Sequence, residues 1–458
     1  MNFTALRHRT FFKENPAIAL RIIDRLRAIE QWLGTPKTEG GAGVPSKDSD
    51  TTLLLATWNL RDFGRKGARG YGERKLEALY YIAAFISAFD LVAVQEVNDD
   101  LDLFNALRDI LGRDWDFIAT DTSPGKAGND ERMVFLFDTR KVRFRSIAGE
   151  ITLLEDELVR LSEQKLVLPA GSKLKLADGT ETDLEAGSVL RLPDDSKLLG
   201  GRQFVRTPFL VSFQASWFKF NLCTVHMLYG EGKAGLEQRA KEIAQIARVF
   251  QNRAAAERRV NKEKKRDEDA NEGYIVLGDF NILKAGHATM NALLDNGFGM
   301  AEELQSAPTN MFQTKHYDQI AVLKGHGVVR QRKGVAGVLD VYQVVYRASA
   351  EDVAVLKPKD RENLPLASVS DFEAYFDQMG ESAMRDRHEK KRSFDGGVSV
   401  NAGDPRTREQ AREWYASAWR TYHMSDHLPM WTALEIDFRS EYLNKIEGEA
   451  RARVTPQT

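Results

Sequence analysis

The segment Leu53-Leu54-Leu55-Ala56-Thr57-Trp58-Asn59-Leu60-Arg61-Asp62-Phe63-Gly64 decides the fold. Its first half is continuously apolar, which is typical of a strand buried on both faces, and polar side chains begin where the strand ends. The same design recurs at Val94-Gln95-Glu96, Cys223-Thr224-Val225-His226, Gly278-Asp279-Phe280-Asn281 and Ser425-Asp426-His427-Leu428-Pro429, and Tyr317-Asp318 precedes a further apolar run. Because a rigid sheet can direct such strand-end side chains into one cleft, the sequence predicts a site assembled from distant parts of the chain.

Amphipathic stretches alternate with the apolar runs. Strands are predicted over residues 53–58, 91–94, 133–137, 218–225, 274–277 and 429–434. Helical spacing of apolar residues marks one helix through Leu76, Leu79, Ala83 and Ile86, and another through Leu236, Ala240, Ile243, Ala247 and Phe250. This mixture predicts a layered α/β or α+β domain.

The composition along the chain predicts four parts. Residues 1–34 form an N-terminal accessory helix, and residues 35–51, rich in Gly, Pro, Ser and Thr, form a flexible linker. The main domain covers residues 52–438 and carries insertions at about 150–201 and 340–408, of which the first contains turn signals that predict small β hairpins. Residues 439–458 are a C-terminal tail.

The bulk composition excludes several classes of protein. The chain has 458 residues, 42% of them hydrophobic, with 65 basic and 67 acidic side chains and a single cysteine. This apolar content excludes a wholly disordered chain, and one cysteine excludes a disulfide framework and a cysteine-rich zinc site. There is no apolar run of about 18 residues and no secretory signal at the start, so we expect a cytoplasmic protein that does not contact a membrane.

The strand-end residues form a coherent chemical inventory. It comprises the carboxylates Glu96, Asp279, Asp318 and Asp426, the amides Asn59 and Asn281, and the imidazoles His226 and His427. Hard oxygen ligands suit Mg²⁺, for which Mn²⁺ can substitute, and histidines can move protons near neutral pH. Each residue alone is compatible with an ordinary turn or core position, but the ordered set favours metal-assisted hydrolysis of a phosphoester.

In this order, the motifs resemble those of the endonuclease/exonuclease/phosphatase superfamily, and in particular its deoxyribonuclease I branch, from about residue 53 to 434. The strand Asp130–Phe137 is similar to the deoxyribonuclease strand that carries a glutamate, here Glu131, beside the catalytic histidine. Arg206-Thr207-Pro208-Phe209 is similar to the arginine-containing strand start near the phosphate. The resemblance implies a four-layer α/β sandwich in which helices flank two central mixed β-sheets.

The resemblance also implies roles for the site residues. Glu96 would be the main metal ligand, with Asn59 and Asp426 close to the metal and its waters. Asp279 and Asn281 would orient the attacking water and the scissile phosphate, which Asn59, Arg61 and Arg206 would also contact. His427, paired with Asp318, would act as general base or electrostatic stabiliser, and His226, oriented by Glu131, would be the general acid.

The implied activity is that of a Mg²⁺-dependent, DNA-binding endonuclease that hydrolyses phosphodiester bonds in DNA or RNA. His226 together with Glu131 favours the deoxyribonuclease branch, although Asn98 and Asn129 stand where that enzyme has an arginine and a tyrosine that contact the DNA groove. One alternative is a phosphatase or phospholipase that acts on an inositol phosphate or a lipid headgroup. A second is a catalytically inactive scaffold that binds nucleic acid or protein.

Overall fold

The computed structural model describes residues 1–47, 49–65, 73–122, 130–152, 165–167, 173–175, 179–183, 189–191, 204, 206–230, 232–264, 272–326, 329–364, 366–376, 379 and 408–454. Its strands are β1 (Thr52–Phe63), β2 (Leu91–Asn98), β3 (Trp115–Ala119), β4 (Glu131–Asp138), β5 (Val142–Glu150), β6 (Lys165–Val167), β7 (Lys173–Lys175), β8 (Glu181–Asp183), β9 (Val189–Arg191), β10 (Phe209–Ala215), β11 (Phe218–His226), β12 (Gly273–Asp279), β13 (Phe298–Gly299), β14 (Asp318–Leu323), β15 (Gln331–Val338) and β16 (Met430–Glu435). Its helices are α1 (Thr4–Arg7), α2 (Arg9–Glu14), α3 (Pro16–Gly34), α4 (Leu76–Ser87), α5 (Asp102–Leu111), α6 (Gly232–Glu263), α7 (Ala288–Leu294), α8 (Glu302–Gln305), α9 (Ala350–Ala354), α10 (Pro358–Arg361), α11 (Arg408–Trp414), α12 (Arg420–His423) and α13 (Arg439–Val454).

Within the described residues, most strands belong to two six-stranded sheets. The first sheet has the order β15-β16-β1-β2-β4-β3, and the second has the order β13-β14-β12-β11-β10-β5. Both sheets are mixed, because β1 runs parallel to β2 and β11 runs parallel to β12, whereas the other neighbours are antiparallel.

The side chains of β1 show how the layers form. Leu53 and Leu55 point into a core between the two sheets, where they meet apolar residues of β10, β11 and β12. Leu54 and Trp58 point to the other side, where they pack with residues of α3, α4 and α5. A continuously apolar strand buried on both faces therefore separates two cores, as its sequence predicts.

The second sheet is covered on its outer face by α6 and α7. Cys223 and Val225 of β11 pack there against Ile243 and Phe250 of α6. His226, one residue further, points to the opposite face because strand side chains alternate. Cys223 is a buried core residue, and this burial raises the pKa of its thiol. The arrangement helix, sheet, sheet, helix confirms the predicted four-layer α/β sandwich.

The N-terminal residues pack closely on the first helical layer. Arg21 of α3 forms a 2.9 Å ion pair with the buried Glu77 of α4. Residues 35–51 differ from the expected flexible linker, because Ala42 and Val44 are buried and Lys37 Nζ donates to the carbonyl of Ala336 at 2.7 Å. Glycine and proline are used here for a tight turn that returns the chain to the sheet.

The two predicted insertions are described in part. In the first, β6 pairs with β9 and β7 pairs with β8, in agreement with the predicted small hairpins. In the second, Phe372 and Tyr375 are buried in the core of the helical layer, and Glu373 forms an ion pair with Arg408. Residues 380–407 lie outside the described residues. None of the described helices combines the length and the apolar character needed to cross a membrane.

We expect Gly278→Ala to lower the free energy of unfolding by more than about 3 kcal/mol. Gly278 has a φ of 128°, and a Cβ there would lie 2.2 Å from the carbonyl oxygen of Val225 on the neighbouring strand. The matched control is Gly40→Ala, which also has a positive φ (82°) but meets no atom within 4 Å and should cost only about 1 kcal/mol. Urea denaturation measures both, and equal losses would contradict this account.

Candidate active site

The predicted strand-end residues meet at one edge of the two sheets. β1 and β2 run parallel, so Asn59 and Glu96 lie towards their carboxyl ends. In the second sheet, His226 pairs with Asp279, and Asp279 pairs in turn with Asp318 at the start of β14. The residues just before β16 reach the same edge because β16 runs antiparallel to β1. The structure therefore brings all the predicted site segments into one cleft.

Glu96 is aimed into the cleft by a bulge in β2, where its φ is 61°. Asn59 Nδ2 donates to Glu96 Oε1 at 2.8 Å and to Asp279 Oδ2 at 3.1 Å. The backbone N–H of Asp62 donates to Glu96 Oε2 at 2.8 Å. Burial raises the pKa of Glu96, and the nearby His226 offsets only part of this effect. Glu96 is thus a fixed carboxylate that a cation would stabilise.

Glu131 and His226 form a close pair between the two sheets. His226 Nδ1 lies 2.9 Å from Glu131 Oε2, while Nε2 faces Glu96 Oε1 at 3.6 Å and Asp279 Oδ2 at 3.5 Å. Arg206 Nη2 lies 3.5 Å from Glu131 Oε2. A carboxylate at Nδ1 fixes the ring orientation and leaves Nε2 as the nitrogen directed at the cleft.

Asp318 and His427 form a second pair of the same kind. His427 Nδ1 lies 2.8 Å from Asp318 Oδ2, and Nε2 lies 3.8 Å from Asp279 Oδ2. Tyr317 lies beside the imidazole with a ring-centroid distance of 5.3 Å. Burial by itself lowers the pKa of His427, but Asp318 and Asp279 outweigh burial and hold the pKa well above its ordinary value.

Asp426 is the most exposed carboxylate among the predicted metal ligands, with 48% of its side chain accessible. Arg61 Nε lies 3.9 Å from Asp426 Oδ2, and Arg61 Nη1 donates to Thr421 Oγ1. Burial raises the pKa of Asp426, but Arg61 and His427 outweigh burial and lower the pKa below its ordinary value. Asp426 also lies close enough to Glu96 to raise the pKa of Glu96. These two carboxylates therefore share one negatively charged region.

Asn281 turns the chain at the end of β12 with a φ of 52°. Its backbone N–H donates to Asp279 Oδ1 at 2.8 Å, and its Nδ2 donates to the carbonyl oxygen of Met227 at 2.6 Å. The amide thereby connects the loop after β12 to the loop after β11. Asn281 fixes the orientation of the Asp279 carboxylate in the cleft.

Among the described residues, two groups could hold a divalent cation. The first is Glu96, Glu131 and His226, the second is Asp279, Asp318 and His427, and within each group the ligand atoms lie within 4.8 Å of one another. Asp318 Oδ1 is buried without a hydrogen-bond partner among the described residues. Oxygen-rich donors with an unpartnered carboxylate oxygen fit a hard cation such as Mg²⁺. Of the predicted metal residues, Asn59 directs its Nδ2 at the carboxylates, while its Oδ1 accepts the backbone N–H of Arg61 at 2.9 Å.

Gln95 forms a buried contact between the two sheets, and no role was predicted for it from the sequence. Its Nε2 donates to Thr57 Oγ1 at 3.1 Å and to Thr224 Oγ1 at 2.9 Å. Thr57 lies in the first sheet with Gln95, whereas Thr224 lies in the second. Polar residues inside otherwise apolar strands were the available signal, since buried polar groups need partners.

Arg74 is another residue that the sequence analysis missed. Its side chain is buried and donates to the carbonyl oxygens of Leu60, Arg61 and Met424 at 3.0, 2.7 and 3.0 Å. Burial lowers its pKa to about 10. Arg74 thereby joins the end of β1 to the segment that carries Asp426 and His427. No short-range pattern marks such a contact, because its acceptors are backbone carbonyls.

The chain resembles several solved structures at low sequence identity. A protein of the endonuclease/exonuclease/phosphatase family from Bacteroides thetaiotaomicron is 16% identical over 85% of this chain and 99% of its own, with a TM-score of 0.41. A mannosyl-6-phosphatase from the same organism is 14% identical over 83% of this chain and 99% of its own (TM-score 0.37). D. rerio TDP2, complexed with single-strand DNA product, is 11% identical over 84% and 99% (TM-score 0.37). The first of these structures is described as a member of the family whose motifs this sequence resembles.

No protein-family model matches the sequence, and no curated protein matches it either.

We expect Asp318→Asn to lower the pKa of His427 from its raised position. Burial already acts to lower this pKa, and the substitution removes the carboxylate that opposes burial most strongly. Ring-proton NMR titration in EDTA, which excludes metal effects, measures the pKa in both proteins. An unchanged His427 pKa would show that Asp318 does not control it.

We expect Arg74→Met to lower the free energy of unfolding by about 3–5 kcal/mol, because three buried carbonyl acceptors lose a charged donor. Arg113→Met is the control. Arg113 has 95% of its side chain exposed and lies 3.9 Å from Asp114, so its loss should cost less than about 1 kcal/mol. Chemical denaturation distinguishes the two, and similar losses would refute the assignment.

Proposed function

We propose that this chain is a divalent-metal-dependent phosphodiesterase that hydrolyses nucleic acid, with DNA as the first expected substrate. One observation carries the proposal. His226 and His427, each held at Nδ1 by a carboxylate, direct their Nε2 atoms at the same Asp279 Oδ2, at 3.5 and 3.8 Å. Two imidazoles that face each other across one carboxylate can act on opposite sides of a phosphorus centre.

Some of the site residues would bind the metal ion, and others would contact the phosphate. Glu96 would hold Mg²⁺ together with Asp426, and Asn59 would keep Glu96 and Asp279 at a fixed spacing. When bound, the ion supplies charge stabilisation to a phosphoryl oxygen. Arg61 would contact a phosphate from the solvent side, because a fifth of its side chain is exposed next to Asp426. Mn²⁺ would substitute for Mg²⁺.

The proton steps are assigned to the two imidazoles. His226 Nε2 would give a proton to the leaving oxygen, with Glu131 holding Nδ1 and Arg206 beside Glu131. His427 Nε2 would donate to a non-bridging phosphoryl oxygen and stabilise the negative charge that develops there. Asp279, oriented by the backbone N–H of Asn281, would accept a proton from the attacking water.

Nucleic acid is proposed as the substrate because of the His226–Glu131 pair. This pair is the feature by which the sequence resembles the deoxyribonuclease branch. Their 2.9 Å contact supports this pairing. Of the two positions where the chain departs from that branch, Asn98 is buried and directs Nδ2 at the carbonyl of Glu96, while Asn129 lies outside the described residues. The proposal therefore includes contacts to the DNA groove that differ from those of the deoxyribonuclease branch.

The test is a substrate panel with Mg²⁺ or EDTA. Wild type should cleave plasmid or single-stranded DNA or RNA only with metal, and Glu96→Gln should reduce the rate at least about 10³-fold. His226→Ala should lose roughly 10²–10⁴-fold on DNA but far less on bis-p-nitrophenyl phosphate, whose leaving group needs no protonation. Asp99→Asn, which alters an exposed carboxylate three residues from Glu96, is the control and should keep full activity.

Release of phosphate from an inositol phosphate with no cleavage of DNA or RNA would overturn the choice of substrate. A folded protein inactive on the whole panel would overturn the enzymatic proposal in favour of a binding scaffold.

A further inference from the structure

Arg239 on α6 is a buried cation beside the site. Only 3% of the residue is exposed, and its Nε and Nη1 atoms are buried without a hydrogen-bond partner among the described residues. Burial lowers its pKa, which shows the cost of removing this guanidinium from water. A buried charge without hydrogen bonds is unfavourable unless a counter-ion arrives to satisfy it.

The surroundings of Arg239 place it next to the reacting groups. Its contact Tyr229 follows two residues after Met227, whose backbone N–H donates to the carbonyl oxygen of Asp279 at 2.8 Å and whose carbonyl oxygen accepts from Asn281 Nδ2 at 2.6 Å. Asp279 does not hydrogen-bond to Nε or Nη1 of this guanidinium: its Oδ1 accepts from Asn281 and its Oδ2 accepts from Asn59. Arg239 therefore lies beside the predicted phosphate position with hydrogen-bond donors that nothing described here occupies.

Tyr229 covers this guanidinium. The Arg239 Cζ lies 4.8 Å from the centroid of the Tyr229 ring, and Tyr229 is 49% exposed. The backbone next to it is held against the start of α6, since a Cβ at Gly230 would lie 2.8 Å from the Cα of Gly235. Because the ring is half in solvent, a rotation of the Tyr229 side chain would expose the face of the guanidinium that the ring covers.

We propose that Arg239 forms a subsite for a second phosphate, next to the scissile one, with Tyr229 as its movable cover. This inference rests on the proposed phosphodiesterase function and specifies its substrate as one with consecutive phosphates. A guanidinium donates to phosphate oxygens through several N–H groups, and Nε and Nη1 of Arg239 have no other hydrogen-bond partner among the described residues. Occupation by a flanking phosphate satisfies the buried charge and positions the scissile bond against Asp279 and His427.

The test compares three thymidine dinucleotides: TpT, with one phosphodiester, and pTpT and TpTp, which add a terminal phosphate on either side. Binding is measured by calorimetry in EDTA, so that the result does not depend on cleavage. Wild type should bind pTpT or TpTp at least about 10-fold more tightly than TpT. Arg239→Met should reduce this preference to less than twofold.

Three further variants isolate the guanidinium. Lys241→Met removes a positive charge from an exposed position on the same helix and should keep the preference. Tyr229→Ala should also keep it, because the ring covers the subsite and does not hold the phosphate. Arg239→Lys keeps the charge but loses the guanidinium N–H donors, so an intermediate preference is expected. If Arg239→Met does not fold, the preference measured for Arg239→Lys tests the subsite.

Equal binding of all three dinucleotides by wild type, or a preference that survives in both Arg239 variants, would overturn the subsite. A preference lost in Tyr229→Ala but kept in the Arg239 variants would replace it with base stacking on Tyr229. A wild type that shows the preference in EDTA but cleaves none of the panel with Mg²⁺ would leave the subsite supported and the proposed catalytic function wrong.

Discussion

The amide of Asn59 donates hydrogen bonds to one carboxylate from each sheet, and the candidate site depends on this contact. Glu96 belongs to the first sheet and Asp279 to the second, and like charges at this distance repel each other. A single donor group shared between them sets their spacing without neutralising either. Below it, Gln95 crosses the same boundary to Thr224, so the two sheets meet through polar contacts at this edge. The site consequently exists only when both sheets are packed together.

The sequence predicted the fold, and its strand-end motifs are local patterns that could be read before the structure was known. It placed Glu96, His226, Asp279 and His427 at strand ends, and the sheets bring them together. The sequence could not predict the contacts of Arg74, because its partners are backbone carbonyls and one of them lies 350 residues away. It could not predict the bulge at Glu96 either, because the bulge depends on pairing with β4. Residues 35–51 were also predicted to be a flexible linker because they are rich in glycine. Composition indicates how flexible a segment is by itself, but it does not show that the protein offers an apolar surface on which the segment can pack.

Backbone strain is concentrated around the cleft. Arg61, Asp62, Glu96 and Asn281 all have positive φ values, between 44° and 61°, although none is glycine. Each such residue costs about 1–2 kcal/mol, so the surrounding structure must over-determine them. The hydrogen bonds of Arg74 to the carbonyls beside Arg61, and of Asp62 to Glu96, provide that constraint. Stability is thus given up locally to aim side chains at a common point.

The ion pair between Glu373 and Arg408 has a consequence for how the chain can vary. It joins the two ends of segment 380–407 on the same helical layer, with Arg412 adding a second contact to Glu373. For two chain positions that are held together, the closure entropy of the chain between them grows only with the logarithm of its length, by about 0.6 kcal/mol for each doubling. The contact between Glu373 and Arg408 therefore helps to hold the two described segments together with little dependence on how many residues separate them along the chain.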